Sequence, residues 1–282
     1  MPQGWLHPAK IVTGALGGAW LGGMRRWVVK RLYTHLARAY PLPEWTTMNY
    51  GYVPTIGGTV PPVPADSAES LGLNLYWRVA TAGRRGAALS GLDIVEVGSG
   101  RGGGAAFLAT ALHPRRLIGI DIADTATALA TAQHAGIANL SFQTGDAEAL
   151  GLAEASADIV INIESAHCYA SVPRFLAEVA RVLRPGGELL FAGFAARGLA
   201  HDRLMAALAA SPLRLDRIDD ITANVTASLA QVEARKQAFL DAHLSGPIKS
   251  FAVGAYAMTG SPMRLALDSG ETVYMAAVLS KG

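Results

Sequence analysis

The stretch that most constrains this chain is Ile94–Gly104, "IVEVGSGRGGG", a short apolar run entering a turn that holds five glycines within seven residues. Glycine lets the backbone take left-handed dihedrals and approach a ligand with no Cβ in the way. A strand, such a turn and a following helix together aim backbone amides at a bound group. The middle of the chain repeats this strand–helix alternation. Strands are predicted at Asp93–Val97, Leu117–Asp121, Leu140–Gln143, Ile159–Ile163 and Glu188–Phe194, each without polar alternation, as burial on both faces requires. Helices are predicted over Gly103–Leu112, Thr125–Ala135 and Val172–Leu183, the last stopped by "RPGG" at Arg184–Gly187. Such repetition implies right-handed crossovers and a parallel sheet with helices on both faces.

Beyond the fifth strand the pattern changes. Ala200–Ala210 reads as a helix, Leu213–Ile218 as a strand, Ile221–His243 as a long helix and Thr272–Leu279 as a last strand. The tight turn Asp268–Glu271 leaves no room for a crossover, so the last strand is expected to enter the sheet antiparallel. The Pro-rich segment Val53–Pro64 divides an N-terminal arm from the core. The organisation expected is a helical arm or lid over residues 1–74 and a core over 75–282, with a substrate-lid insertion at about 221–260.

Of the 282 residues, 51% are hydrophobic and 16% charged, a globular composition. A net charge of +2 without a concentrated basic stripe argues against nucleic acid as a partner. A single cysteine, Cys168, excludes an intrachain disulfide and a thiolate metal cluster, and fits a reducing, cytoplasmic setting with the thiol as a small buried residue. Ile11–Met24 is apolar but is 14 residues long with five glycines, short of the roughly 20 that span a bilayer. It reads as an apolar arm covering the domain. Its second reading is peripheral attachment to lipid through residues 1–45, because the first 40 residues carry six Lys/Arg and no Asp/Glu.

The glycine spacing alone leaves two cofactors open. Gly98, Gly100 and Gly103 spell a dinucleotide fingerprint; Glu96, Gly98, Gly100 and Gly102 spell the E-x-G-x-G-x-G loop of S-adenosylmethionine enzymes. Glu96, two residues before the first glycine, would repel a pyrophosphate and tolerate a sulfonium and an ammonium. Asp121, 23 residues after Gly98, suits ribose hydroxyls in either case. In "TGDAEAL", Asp146 lies 25 residues beyond Asp121, where its carboxylate can accept from an adenine amino group while the Ala147 amide reaches the ring. The Tyr-x-x-x-Lys pair of short-chain dehydrogenases is absent.

With these residues in place, five motifs in order resemble those of class I S-adenosylmethionine-dependent methyltransferases: "VEVGSGRGG", "IGIDIA", "TGDAEAL", "ADIVINIES" and "LRPGGELLFAG". The resemblance implies a Rossmann-like, doubly wound α/β sheet of seven strands, mostly parallel with an antiparallel last strand. It implies S-adenosylmethionine as cofactor, S-adenosylhomocysteine as product, and Glu96, Gly98, Ser99, Gly100, Gly102, Asp121, Ile122, Asp146, Ala147 and Asn162 as cofactor-binding residues. "MNYGY" at Met48–Tyr52 and "IESAHCY" at Ile163–Tyr169 resemble the natural-product, tocopherol and mycobacterial glycolipid methyltransferases, whose arms fold over the cofactor. That subgroup implies that Tyr33, Asn49, Tyr50 and Tyr52 help to close the site over a small, apolar or aromatic acceptor of secondary metabolism.

His167 follows the fourth strand at its carboxyl end, where ligands bind in open α/β sheets, and histidine suits proton removal near neutral pH. It is the expected general base of an O-methylation, with Glu164 and Tyr50 as further catalytic residues. Tyr52, His167, Tyr169, Asn224 and His243 are the expected acceptor contacts. Asp219, Asp220 and Asn224 resemble oxygen ligands for magnesium, yet Asp220 and Thr222 open a helical pattern where such residues cap amides, so no metal is expected. C-methylation of an electron-rich phenol or indole ring is the runner-up, followed by N-methylation. More distant readings are a nicotinamide oxidoreductase and a non-catalytic protein bound to a membrane or partner. Sequence leaves monomer and homodimer open.

Overall fold

The computed structural model describes residues 19–42, 45–55, 62–63, 67 and 69–282. His7, most of the apolar stretch Ile11–Met24 and much of Val53–Pro64 lie outside the described residues. The chain runs α1 (Ala19–Ala39), α2 (Ser70–Ala80), β1 (Asp93–Val97), α3 (Gly103–Leu112), β2 (Arg116–Asp121), α4 (Asp124–Gln133), β3 (Leu140–Thr144) and β4 (Ala157–Ile163). A 3-10 turn at Ala166–Cys168 leads to α5 (Val172–Val182) and β5 (Leu183–Ala196). Then follow α6 (Leu199–Ala209), β6 (Arg214–Asp220), α7 (Thr222–His243), α8 (Gly246–Ala255), α9 (Pro262–Asp268) and β7 (Thr272–Ser280).

The seven strands form one sheet in the order β3-β2-β1-β4-β5-β7-β6. β1 to β5 pair in parallel, and β7 inserts antiparallel between β5 and β6. This is the doubly wound architecture expected, with the order reversing between β1 and β4. Alternate residues of the central strands feed two cores. Ile94, Leu117, Ile159 and Leu190 pack with α2 and α3 on one face, while Val95, Ile120, Val160 and Leu189 pack with α5 on the other. That is why these strands read as unbroken apolar runs.

Two expectations need correction. The helix predicted to reach Leu183 ends at Val182, and Leu183 already pairs with Ala157 in the sheet. The residues "RPGG" are a bulge inside β5, where the register jumps from Ala157–Leu183 to Ile159–Glu188. Further, α8 and α9 form where no helix is predicted, each with a proline in its first turn. Ser261 caps α9 by accepting from the Arg264 amide at 3.3 Å. Helix α2 runs continuously across residues 74 and 75.

Candidate active site

The carboxyl ends of β1, β2 and β4 and the loop after β3 surround a cavity, where ligands bind in open α/β sheets. The glycine turn forms its floor. Gly98 and Ser99 donate their amides to the Ile120 carbonyl at 2.7 and 3.0 Å, folding the turn against β2. Gly98 and Gly100 take φ of 82° and 53°, and a Cβ on Gly100 would approach the Met48 methyl to 2.7 Å. Gly102, also at positive φ, is not among the lining residues; a Cβ there would run into the Phe142 ring, so this glycine serves the packing of α3 on β3.

Asp121 ends β2 at the cavity wall. One carboxylate oxygen accepts from the Gly100 amide and the other from the Ala123 amide, each at 2.9 Å. Burial raises its pKa, opposed by these amides. Asp146 and Ala147 line the cavity beyond β3, and Asp146 accepts from the Glu148 amide at 2.9 Å. Asp121, Asp146, Glu148 and Glu164 are among the lining residues with Arg101, the Glu148 carboxylate being held by the amides of Ala170 and Ser171. Arg101 is 2% exposed, lies 4.1 Å from the Trp45 ring centroid, and donates to the carbonyls of Leu36 and Tyr40 at 3.1 and 2.8 Å. A net acidic lining fits a cationic sulfonium compound and disfavours a pyrophosphate.

Glu164 sits one residue past β4 at φ 47°, a left-handed conformation that costs a non-glycine residue energy. Its Oε1 accepts from the Tyr50 amide and the Tyr274 hydroxyl, both at 2.8 Å. Burial pushes its pKa up to about 7, against the opposing pull of those donors and of Lys236. Lys236, from α7, is itself depressed to about 8 by burial, with Glu164 and Glu69 opposing. Its ammonium lies 5.0 Å from the Tyr256 ring centroid and 3.5 Å from the Asn49 carbonyl.

Glu96 is 1% exposed and meets the cavity through Tyr76, whose hydroxyl donates to it at 2.8 Å. Burial raises its pKa from 4.5 to about 7, the Tyr76 bond opposing and the charge of Asp121 adding. The folded protein therefore holds a proton here that the unfolded chain releases, and stability falls as pH rises from about 4.5 to about 7. A shift of that size corresponds to about 3 kcal/mol. Glu96→Gln is expected to lessen this decline, leaving the part owed to the likewise raised Glu164, measured as the difference between denaturation midpoints at mildly acid and mildly alkaline pH. Equal declines in the variant and the parent would show that Glu96 is ionised throughout.

Residues 95–191 match the family described as Methyltransferase domain. The chain is 34% identical over 227 residues to the phthiotriol/phenolphthiotriol dimycocerosates methyltransferase of Mycobacterium leprae (strain TN), covering 80% of this chain and 82% of that protein. The chain belongs to the S-adenosylmethionine-dependent methyltransferases. It is also 35% identical over 162 residues, 57% of each chain, to the fatty-acid O-methyltransferase of Mycolicibacterium smegmatis. In fold it is similar to the geranyl diphosphate C-methyltransferase of Streptomyces coelicolor A3(2), solved with Mg2+, geranyl diphosphate and S-adenosyl-L-homocysteine. That likeness has a TM-score of 0.65 at 12% identity, over 92% of this chain and 98% of that one.

In this methyltransferase the structure brings Tyr33, Asn49, Gly98, Ser99, Gly100, Asp121, Ile122, Asp146, Ala147, Glu164 and Tyr169 to one cavity, together with Cys168. Asn162 is buried beneath it, its Nδ2 within 3.0 Å of the Val97 carbonyl and the Ser165 and Tyr169 hydroxyls, bracing the loop after β4. Tyr50 contributes its amide to Glu164 and stacks its ring on Phe194 at 5.5 Å. His167 packs its ring 4.7 Å from Phe194 and is not among the lining residues. Three expected acceptor contacts lie elsewhere. Tyr52 lines a second cavity with Trp77, Arg78 and Asp219. Asn224 donates to the Val53 carbonyl at 2.8 Å and so ties the arm to α7. His243 is exposed at the end of α7, packed on Phe239. Asp220 accepts from the amide and hydroxyl of Thr222, the capping role expected of it. Tyr76, Tyr274, Lys236 and Arg101 are the participants that sequence reasoning missed.

Proposed function

We propose that this methyltransferase alkylates a hydroxyl group of a lipophilic small molecule, with Glu164 as the proton acceptor. The observation that carries the reading is a cavity-lining carboxyl group with a pKa near 7, held through one oxygen by Tyr50 and Tyr274. Both bonds fall on Oε1, which leaves Oε2 to take a proton from an acceptor hydroxyl. A base is most effective when its pKa lies near the working pH. Relatives named for phthiotriol dimycocerosates and for fatty acids support a lipid acceptor.

When bound, S-adenosylmethionine supplies an electrophilic methyl group on a positively charged sulfur. The residues of this chain do the rest. The Asp121 carboxylate would hold the ribose hydroxyls, and Asp146 with the Ala147 amide would hold the adenine edge. The bare backbone of Gly98–Gly100 permits close approach. Tyr33 and Met48, from the arm, also line the cavity and would help to exclude water, which favours in-line alignment of donor and acceptor. His167, three residues after Glu164 on the same turn, is the competing base.

Asp121→Ala is expected to weaken cofactor binding by about 1.5–3 kcal/mol, between one and two orders of magnitude in Kd. Calorimetric titration with S-adenosylhomocysteine measures it, and an unchanged Kd would remove Asp121 from the cofactor site. The reaction itself is tested by incubating the protein with labelled methyl donor and a panel of fatty acids, long-chain alcohols, phenols and indoles. A methyl ether supports the proposal, whereas a methyl ester, formed on a carboxylate that has no proton to give up, would remove Glu164 as proton acceptor. A product methylated on ring carbon or nitrogen would replace the proposal.

A further inference from the structure

Helix α1 has two faces with different tasks. Val29 and Tyr33 line the cofactor cavity, and Ala37 packs against Ala123 and Ala126 at the start of α4. The opposite face carries Trp27, Lys30, Arg31, His35 and Arg38, all exposed. Spacings of three, four and seven residues put Trp27, Lys30, Arg31 and Arg38 on one stripe. Trp27 is 60% exposed, with the Arg31 guanidinium 4.8 Å from its ring centroid. The other large exposed hydrophobic side chains among the described residues, Leu199, Ile218 and Leu265, are aliphatic and lie on α6, β6 and α9. The helix sequence holds no acidic residue, and Arg25 and Arg26 precede the stripe in it.

We propose that the outer face of α1 docks on a bilayer surface carrying anionic headgroups. An indole and a guanidinium side by side suit the headgroup layer, where an amphipathic ring meets both apolar chains and charge. A basic face on a helix with no acidic residue of its own is attracted to anionic lipid, each cation adding to the attraction. No described helix is long and apolar enough to cross a membrane, so the contact is peripheral. Docking in this way would set a wall of the cofactor cavity against the bilayer. A lipid acceptor could then pass from its solvent to the donor along the inner face of the same helix. The delivery role rests on the lipid reading of the acceptor; the docking itself does not.

The test is flotation of the full chain with phosphatidylcholine vesicles, with and without phosphatidylglycerol, at low and high salt. Wild type is expected to float with the anionic vesicles at low salt, to be released by high salt, and to remain behind with phosphatidylcholine alone. The triple variant Lys30→Glu, Arg31→Glu, Arg38→Glu should lose on the order of a hundredfold in partitioning, and Trp27→Ala about tenfold. Both should keep the parental Kd for S-adenosylhomocysteine, which shows that the fold and cavity are intact. Equal flotation with neutral and anionic vesicles, no flotation, or capture by duplex DNA in place of vesicles would each overturn the docking surface. Flotation without methyl transfer to any lipid would leave the docking in place and refute the lipid reading. Methyl transfer to a soluble fatty acid without flotation would do the reverse.

Discussion

Glu164→Gln is expected to lower kcat by at least about a hundredfold while leaving cofactor affinity within a few-fold of the parent. The amide is isosteric and its Oε1 can still accept from the Tyr50 amide and the Tyr274 hydroxyl, so the turn after β4 keeps its support. What is lost is the capacity to take a proton. Because the group is raised to about 7, wild-type kcat/KM should climb as pH rises through 7 and then level off, following the ionised fraction. The Gln variant should lack that limb. His167→Ala, by contrast, should reduce turnover only a few-fold, since its ring packs on Phe194 and the cavity wall is drawn by its neighbours. A hundredfold loss in His167→Ala with a mild Glu164→Gln phenotype would transfer the role to the histidine.

The largest effect on stability is expected from Gly104→Ala. A methyl group there falls well inside contact distance of three carbons of the Tyr76 ring. That ring cannot move aside cheaply: it is buried, and its hydroxyl is tied to Glu96. Overpacking of this kind costs about 3 kcal/mol or more, which for a domain of this size lowers Tm by roughly 6–12 °C. Gly136→Ala is the matched control, with nothing within 4 Å of the added carbon; a change within about 0.5 kcal/mol is expected there. Thermal unfolding of the two variants beside the parent decides the matter. Equal Tm values for both would mean that Tyr76 has an alternative seat.

The central half of the fold was readable because its physics is local. Strands buried on both faces have no polar partner to alternate with, and the turn after β1 can be made by few residues other than glycine. The same holds for Asp121 and Asp146, whose places at strand ends follow from chain direction. What could not be read depends on rotation and distance. Asn224 and His243 lie on a long helix whose sequence does not say which side faces the cavity, and the structure turns them to Val53 and to the exposed end of α7. Tyr50 and Tyr52 would share one side of an extended segment, but Gly51 between them takes φ 77° and breaks that alternation, so one stacks on Phe194 and the other lines a different cavity. Tyr76, Lys236 and Tyr274 come from α2, α7 and β7, and no spacing within the chain links them to Glu96 or Glu164. The prolines at the starts of α8 and α9, each within two residues of a serine, were a usable local signal that periodicity alone passed over.

The position of β7 has a consequence for how the protein is made. The strand is flanked on one side by β5 and on the other by β6, and it delivers the Tyr274 hydroxyl to Glu164. A nascent chain still attached to the ribosome before Thr272 emerges would therefore leave β5 with a bare apolar flank, an invitation to aggregate. It would also have a carboxyl group without one of the two donors that hold it. Termination before Thr272 would thus yield a polypeptide that has the glycine turn but lacks β7, and with it the Tyr274 hydroxyl that reaches Glu164.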